Sequence, residues 1–181
     1  MEGGINAWKG SVAKGVPDAG MAYFEPAKKT EELIALAWLL EEGSGKFYAE
    51  MTRRGKDQEA VGLFNELLAD EEGHKASLFK FYQTLSGQKP DPGFPRSLIT
   101  VKPDIEYLEG GMLLSEALEW VRGKDVKETL DLSISLEVNA IDLYIKIERK
   151  VEEKGARQVF QALSDQERNH LKRLSDLLEK R

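Results

Sequence analysis

Cysteine is absent from the 181-residue chain, and histidine occurs only twice. Without cysteine there is no disulfide framework, no thiolate metal site and no thiol nucleophile, which fits a reducing compartment and makes the cytoplasm the expected location. The six prolines fall within residues 17–26 and 90–103, which leaves the rest of the chain open to long helices. No apolar run approaches the ~20 residues that a membrane span needs, and the N-terminus lacks the basic-then-apolar pattern of a signal peptide. Net charge is −6 with no block of Lys or Arg, so neither nucleic acid nor a membrane surface is expected as a partner. What remains is 41% hydrophobic and 32% charged residues, the balance of a globular protein with a charge-rich, helical surface. The length suits one domain with an appendage.

The appendage is residues 1–28, "MEGGINAWKGSVAKGVPDAGMAYFEPAK", glycine-rich and without helical periodicity. The domain spans 29–181. From Thr30 to Arg54 a stripe recurs at helical spacing through Leu33, Leu36, Ala37, Leu40, Ser44, Phe47, Tyr48 and Met51, with Glu31 and Glu32 as an acidic first turn. Asp57 then caps a second helix marked by Val61, Phe64, Leu67, Leu68, Leu78, Phe81 and Leu85, which stops at Gly87. The short link between them predicts antiparallel neighbours. Residues 88–113 hold four prolines and sustain no helix, so they predict a crossover from one end of a bundle to the other. About 15 extended residues already cover the ~30 Å of a 20-residue helix. Leu113–Arg122 reads as a short helix, Asp125 caps a third long helix ending near Glu153, and a fourth follows Gly155 to the C-terminus. The fold expected is all-α, a ferritin-like four-helix bundle with a long crossover between its second and third long helices.

The two histidines are related by an internal repeat. A shift of 96 residues carries His74 onto His170 and Glu71 onto Glu167, so "EEGH" and "ERNH" are one motif. The same shift carries Glu41 onto Glu137, Tyr48 onto Tyr144, Phe64 onto Phe160, Leu67 onto Leu163 and Leu40 onto Leu136. Each half therefore reads Glu, then Tyr seven residues on, then Glu-x-x-His beginning thirty residues after the first Glu. Residues three apart share a helix face, and Glu41 and Glu137 fall on the apolar stripes. Four carboxylates turned into one core are costly unless they take up protons or bind cations. Four glutamates and two neutral histidines balance two divalent ions, the ligand set of ferritin-like di-iron and di-manganese proteins. Iron, manganese and zinc all accept such mixed carboxylate and imidazole donors.

Over residues 29–180 these motifs make the chain similar to the rubrerythrin branch of the ferritin-like superfamily. The resemblance implies two iron ions held by Glu41, Glu71, His74, Glu137, Glu167 and His170, with Glu71 and Glu167 bridging. It assigns Tyr48 and Tyr144 to tyrosines whose hydroxyls reach ligand carboxylates; each also reads as a core aromatic with a satisfied hydroxyl. Asp70 is placed to orient a ligating histidine from the facing helix, although the shifted position is Gln166. Two departures stand out. Rubrerythrins often carry an extra glutamate where this chain has Ala140, and many end in a cysteine-ligated iron domain, whereas these 181 residues hold no cysteine. Separately, Gly3, Gly4, Ala7, Trp8, Gly15 and Pro17 resemble the closing segment of rhodanese domains, as in the back end of a longer fusion, with no sulfurtransferase activity expected. The alternative is a generic leader with one anchoring Trp.

The function implied is an oxidoreductase reducing hydrogen peroxide or dioxygen with electrons from an external donor. Two alternatives accompany it: a metal-handling protein that oxidises or stores iron, and a structural adaptor stapled by zinc. A homodimer is expected by resemblance, with Trp120 and the crossover aromatics as its interface if exposed. Gly43 and Gly45 flank Ser44 within the first helix at about 1 kcal/mol each in propensity, which suggests room for a small oxidant or for close helix contact.

Overall fold

A computed structural model of the protein describes residues 29–87, 92–99 and 105–181. The leader at 1–28, with its rhodanese-like positions, lies outside the described residues. Among the described residues five helices follow in order: α1 (Thr30–Arg54), α2 (Gln58–Ser86), α3 (Leu114–Trp120), α4 (Val126–Lys150) and α5 (Lys154–Leu178). Among the described residues the only β pairing is an isolated bridge between Tyr107 and Leu113. No helix there is long and apolar enough to cross a membrane.

The helix ends are set by side chains that satisfy otherwise orphaned amides. The carboxylate of Asp57 accepts from the Ala60 amide at 3.0 Å, and α2 ends at Gly87 in the left-handed region (φ 60). Asp125 and Glu128 form a capping box at the start of α4. The third long helix ends at Lys150 rather than near Glu153, because Glu153 is needed elsewhere: its carboxylate accepts from the amides of Gly155 and Ala156 and starts α5. The short helix is likewise trimmed to Leu114–Trp120.

The direction of each helix can be read from its apolar residues. One core cluster takes Leu33–Leu40 of α1, Leu78 and Tyr82 of α2, Ala140–Ile147 of α4 and Ala156–Leu163 of α5. The other takes Phe47–Met51, Ala60–Leu67, Leu130–Leu136 and Leu174–Leu177 of the same helices. α1 and α5 therefore run from the first cluster to the second, and α2 and α4 run the other way. The bundle is two antiparallel hairpins, α1–α2 and α4–α5, and α2 and α4 point in the same direction. That parallel pair is why the crossover must travel the length of the bundle. Between the two apolar clusters each helix presents a short buried polar segment.

The crossover is seated on α1. A Cβ on Gly43 would stand 2.1 Å from the carbonyl oxygen of Tyr107, so only glycine lets the two backbones approach this closely. Of the two expectations for these glycines, the geometry favours close contact over room for an oxidant: Gly43 admits the crossover, and a Cβ on Gly45 would lie 3.6 Å from the Cβ of Glu71 on α2. Hydrogen bonds from Leu108 N to Met112 O and from Leu114 N to Glu106 O, with a turn through Gly110 and Gly111 at positive φ, hold residues 106–114 as a tight loop. The aromatics named for an interface are half-buried: Phe94 stacks on Tyr82 with centroids 4.6 Å apart and also touches Trp38 and Phe79, and Trp120 lies beneath Lys124. Among the described residues, the large hydrophobic left exposed is Val138, at 47%.

Candidate metal centre

All six residues of the repeated motif are buried between the two apolar clusters. α1 delivers Glu41, α2 delivers Glu71 and His74 from one face, α4 delivers Glu137, and α5 delivers Glu167 and His170. The imidazoles lie face to face, with ring centroids 5.3 Å apart and planes inclined by 19°.

The carboxylates are shared between the rings. His74 Nδ1 lies 3.0 Å from Glu41 Oε2, 3.4 Å from Glu71 Oε2 and 3.1 Å from Glu167 Oε1. His170 Nδ1 lies 2.8 Å from Glu167 Oε2, 3.5 Å from Glu137 Oε2 and 3.9 Å from Glu71 Oε1. Glu71 and Glu167 thus each turn one oxygen to either imidazole, while Glu41 and Glu137 each serve one side. Two donor groups result, Glu41–Glu71–His74–Glu167 and Glu71–Glu137–Glu167–His170, with donor atoms within 4.8 Å of one another in each.

Of these short contacts, His74 Nδ1 to Glu41 Oε2 is a well-formed hydrogen bond, and most of the others are not. Both oxygens of Glu71 and of Glu167, Glu137 Oε2 and His170 Nδ1 are buried without an aligned hydrogen-bond partner. Buried oxygens and a ring nitrogen crowded together without aligned hydrogen bonds fit a cation as their partner. The mixed carboxylate and imidazole set suits a first-row divalent metal.

The electrostatics of the pocket point the same way. Burial, reinforced by the neighbouring Glu167 charge, pushes Glu137 up to about 8. Burial and the charge of Glu41 likewise hold Glu71 well above the usual carboxylate range. His170 is pushed down by burial, but Glu137 and Glu167 outweigh it and hold it up at about 10. His74 is raised in the same way, its burial overcome by Glu41, Glu167 and Glu71. Without metal, protons would stand where cations belong.

Beyond the six, the tyrosines of the repeat each reach a candidate ligand on the other hairpin. Tyr48 donates to Glu137 Oε1, and Tyr144 lies against Glu41 Oε1. Burial and adjacent carboxylates hold both phenols well above their ordinary values. Asp70 sits 3.3 Å from His170 Nε2 and is itself held by Arg173 at 2.8 Å. On the other side, where the shifted position is Gln166, His74 Nε2 has no hydrogen-bond partner. The repeat is therefore broken behind the imidazoles.

One further residue was not visible as part of the repeat. Glu109, in the crossover, is 2% exposed and turns its carboxyl into the same pocket. Its Oε1 lies 2.5 Å from the Tyr144 hydroxyl, and its Oε2 accepts from Ser44 Oγ at 3.1 Å. Burial, then the charges of Glu41, Glu167 and Glu137, raises it well above the usual carboxylate range. Glycines in two places allow this approach: Gly43 beneath Tyr107, and Gly110, whose Cβ would strike Asn139 at 2.4 Å.

Comparison with known proteins bears on the second hairpin. No curated protein and no solved structure matches the chain. The family model described as Rubrerythrin matches residues 128–181. That stretch covers nearly all of α4 and all of α5, including Glu137, Tyr144, Glu167 and His170, so the hairpin that supplies half of the candidate centre is similar to rubrerythrins.

Proposed function

We propose that the protein is a di-iron carboxylate oxidoreductase that reduces hydrogen peroxide or dioxygen with electrons from an external donor. The observation that carries this reading is the pair of donor groups sharing Glu71 and Glu167, which offers two adjacent cation positions bridged by two carboxylates. The match of α4 and α5 to the rubrerythrin family supports iron over other metals. Two bound irons would supply electrons in pairs to an oxidant. The chain's own residues would do the rest. Glu41 and Glu71 with His74 would hold one position, and Glu137 and Glu167 with His170 the other, the bridging carboxylates being shared. The two apolar clusters on either side exclude water from the pocket. Tyr48 and Tyr144 hold hydrogens against Glu137 and Glu41 and fix those carboxylates in place.

Elemental analysis of protein purified from its own source is the first test, with about two irons per chain expected. The second is peroxide consumption by ferrous-loaded protein with a surrogate reductant. Turnover no faster than that of free iron would refute the enzymatic reading. Zinc at full occupancy would favour a structural staple, and iron accumulating well beyond two per chain would favour storage.

A further inference from the structure

The hydrogen bonds around Tyr144 cannot all be donated by Tyr144. Its hydroxyl has one hydrogen, yet it lies within hydrogen-bond distance of two carboxyl oxygens, Glu41 Oε1 and Glu109 Oε1. One of those contacts needs a hydrogen from a carboxyl group. Glu41 is poorly placed to carry it, because its Oε2 faces His74 Nδ1 at 3.0 Å and belongs to a donor group aimed at a cation. Glu109 belongs to neither donor group. Its remaining oxygen accepts from Ser44, as the carbonyl oxygen of a neutral acid can.

Charge counting leads to the same residue. Glu41, Glu71, Glu137 and Glu167 match two divalent ions, and a fifth ionised carboxylate in the same dry pocket would be left over. A buried carboxyl with no cation to answer it is more stable as the acid.

We propose that Glu109 is the proton-holding carboxyl of this pocket: a neutral acid whose Oε1 hydrogen is donated to the Tyr144 oxygen, committing the phenolic hydrogen to Glu41 Oε1. The ordered chain is Ser44 to Glu109 to Tyr144 to Glu41, three donors in line ending on a candidate ligand. It exists on one side only. Tyr48, the counterpart of Tyr144, meets Glu137 and has no second carboxyl, and the 96-residue shift replaces Ser44 by Ala140 and Gly43 by Asn139. The crossover therefore adds a proton store to the His74 side of a site whose halves are otherwise matched.

The role of this store rests on the reading of the protein as a peroxide reductase. Reduction of one peroxide to two waters consumes two electrons and two protons. The external donor supplies the electrons. Glu109 supplies one proton: its hydrogen passes to the Tyr144 oxygen as the phenolic hydrogen passes to Glu41 Oε1, which hands it to the reduced oxygen, and Glu109 is left ionised; over the whole cycle bulk water supplies the second proton and replaces the one Glu109 gave. Glu109 is thus a positioning and proton-holding residue that does not itself touch metal or oxidant.

Infrared spectroscopy of the fully metal-loaded protein tests the assignment without reference to turnover. The wild type should show the carbonyl stretch of a protonated carboxylic acid, shifted in heavy water and missing from Glu109→Gln, while Glu109→Gln still binds the same number of metal ions per chain. Tyr144→Phe should keep the band but move its frequency, because Glu109 loses its acceptor. Absence of the band from the wild type, or its persistence in Glu109→Gln, overturns the proposal. In turnover, Glu109→Gln should slow peroxide reduction at least tenfold, with Glu109→Asp partly restoring it, and wild-type rates in Glu109→Gln would overturn the proton-supply role. A wild type that shows the band but consumes no peroxide would refute the enzymatic reading and leave the protonation of Glu109 standing.

Discussion

Substituting alanine at Gly43 should weaken the protein although alanine is the better helix former. In an open helix, Gly→Ala gains about 1 kcal/mol. At position 43 the new methyl would lie 2.1 Å from Tyr107 O and 2.9 Å from Tyr107 C, where ordinary contact begins near 3.4 Å. Both partners are backbone, so the loop must retreat by roughly an ångström, and overpacking of this kind costs about 1–3 kcal/mol. Retreat also strains the buried bond from Ser44 to Glu109, worth about 1 kcal/mol. The net expectation is a loss of about 2 kcal/mol, or roughly 4–8 °C in Tm for a domain of this size. Gly62 provides the control, because it lies within α2 with nothing within 4 Å of its Cβ position. Gly62→Ala should gain about 1 kcal/mol, so the two variants should differ by about 3 kcal/mol. Urea or thermal unfolding with chelator present measures both. If Gly43→Ala is as stable as Gly62→Ala, the crossover is not seated on α1 and the placement of Glu109 falls with it.

The metal-free protein should lose stability as pH rises. Glu137, ordinarily near 4.5 and held at about 8 in the fold, keeps its proton when the unfolded chain has lost it, so its contribution is present below 4.5 and drains away up to 8. His170, ordinarily 6.5 and held at about 10, stabilises below 6.5 and loses that effect by 10. Both fall together between 6.5 and 8, at about 1.4 kcal/mol per pH unit for each group; denaturation midpoints in chelator that rise across this window would refute the argument. Glu167→Ala should reduce metal binding on both sides of the pocket, whereas Glu137→Ala should spare the His74 side, which metal-to-protein ratios will distinguish. Asp125→Ala removes the α4 cap and should cost about 1 kcal/mol in chemical denaturation.

Much of this architecture could be read from the chain because its two halves repeat. The helical stripes placed α1 at Thr30–Arg54, and one shift of 96 residues brought Glu41, Glu71 and His74 into register with Glu137, Glu167 and His170. Glu109 escaped for the complementary reason. It lies in a segment without periodicity and has no partner in the other half, and the proline-rich composition of 88–113 says where a loop is but not what it touches. The signals were indirect: a glutamate between Leu108 and Gly110-Gly111, and a glycine at 43 whose cost to the helix pointed to a close contact or to space without saying which. The end of the third long helix was misplaced because Glu153 looks equally suited to finishing one helix and starting the next. Its bonds to Gly155 and Ala156 decide for the second.

The contrast behind the two imidazoles has a consequence for filling. His170 is braced by Asp70, which Arg173 anchors in turn, whereas the far nitrogen of His74 meets nothing. A braced ring spends less freedom on being captured and is made more electron-rich by the carboxylate behind it. Titrated with a divalent ion, the pocket should therefore saturate in two resolvable steps, the His170 position first, and Asp70→Asn should draw the steps together.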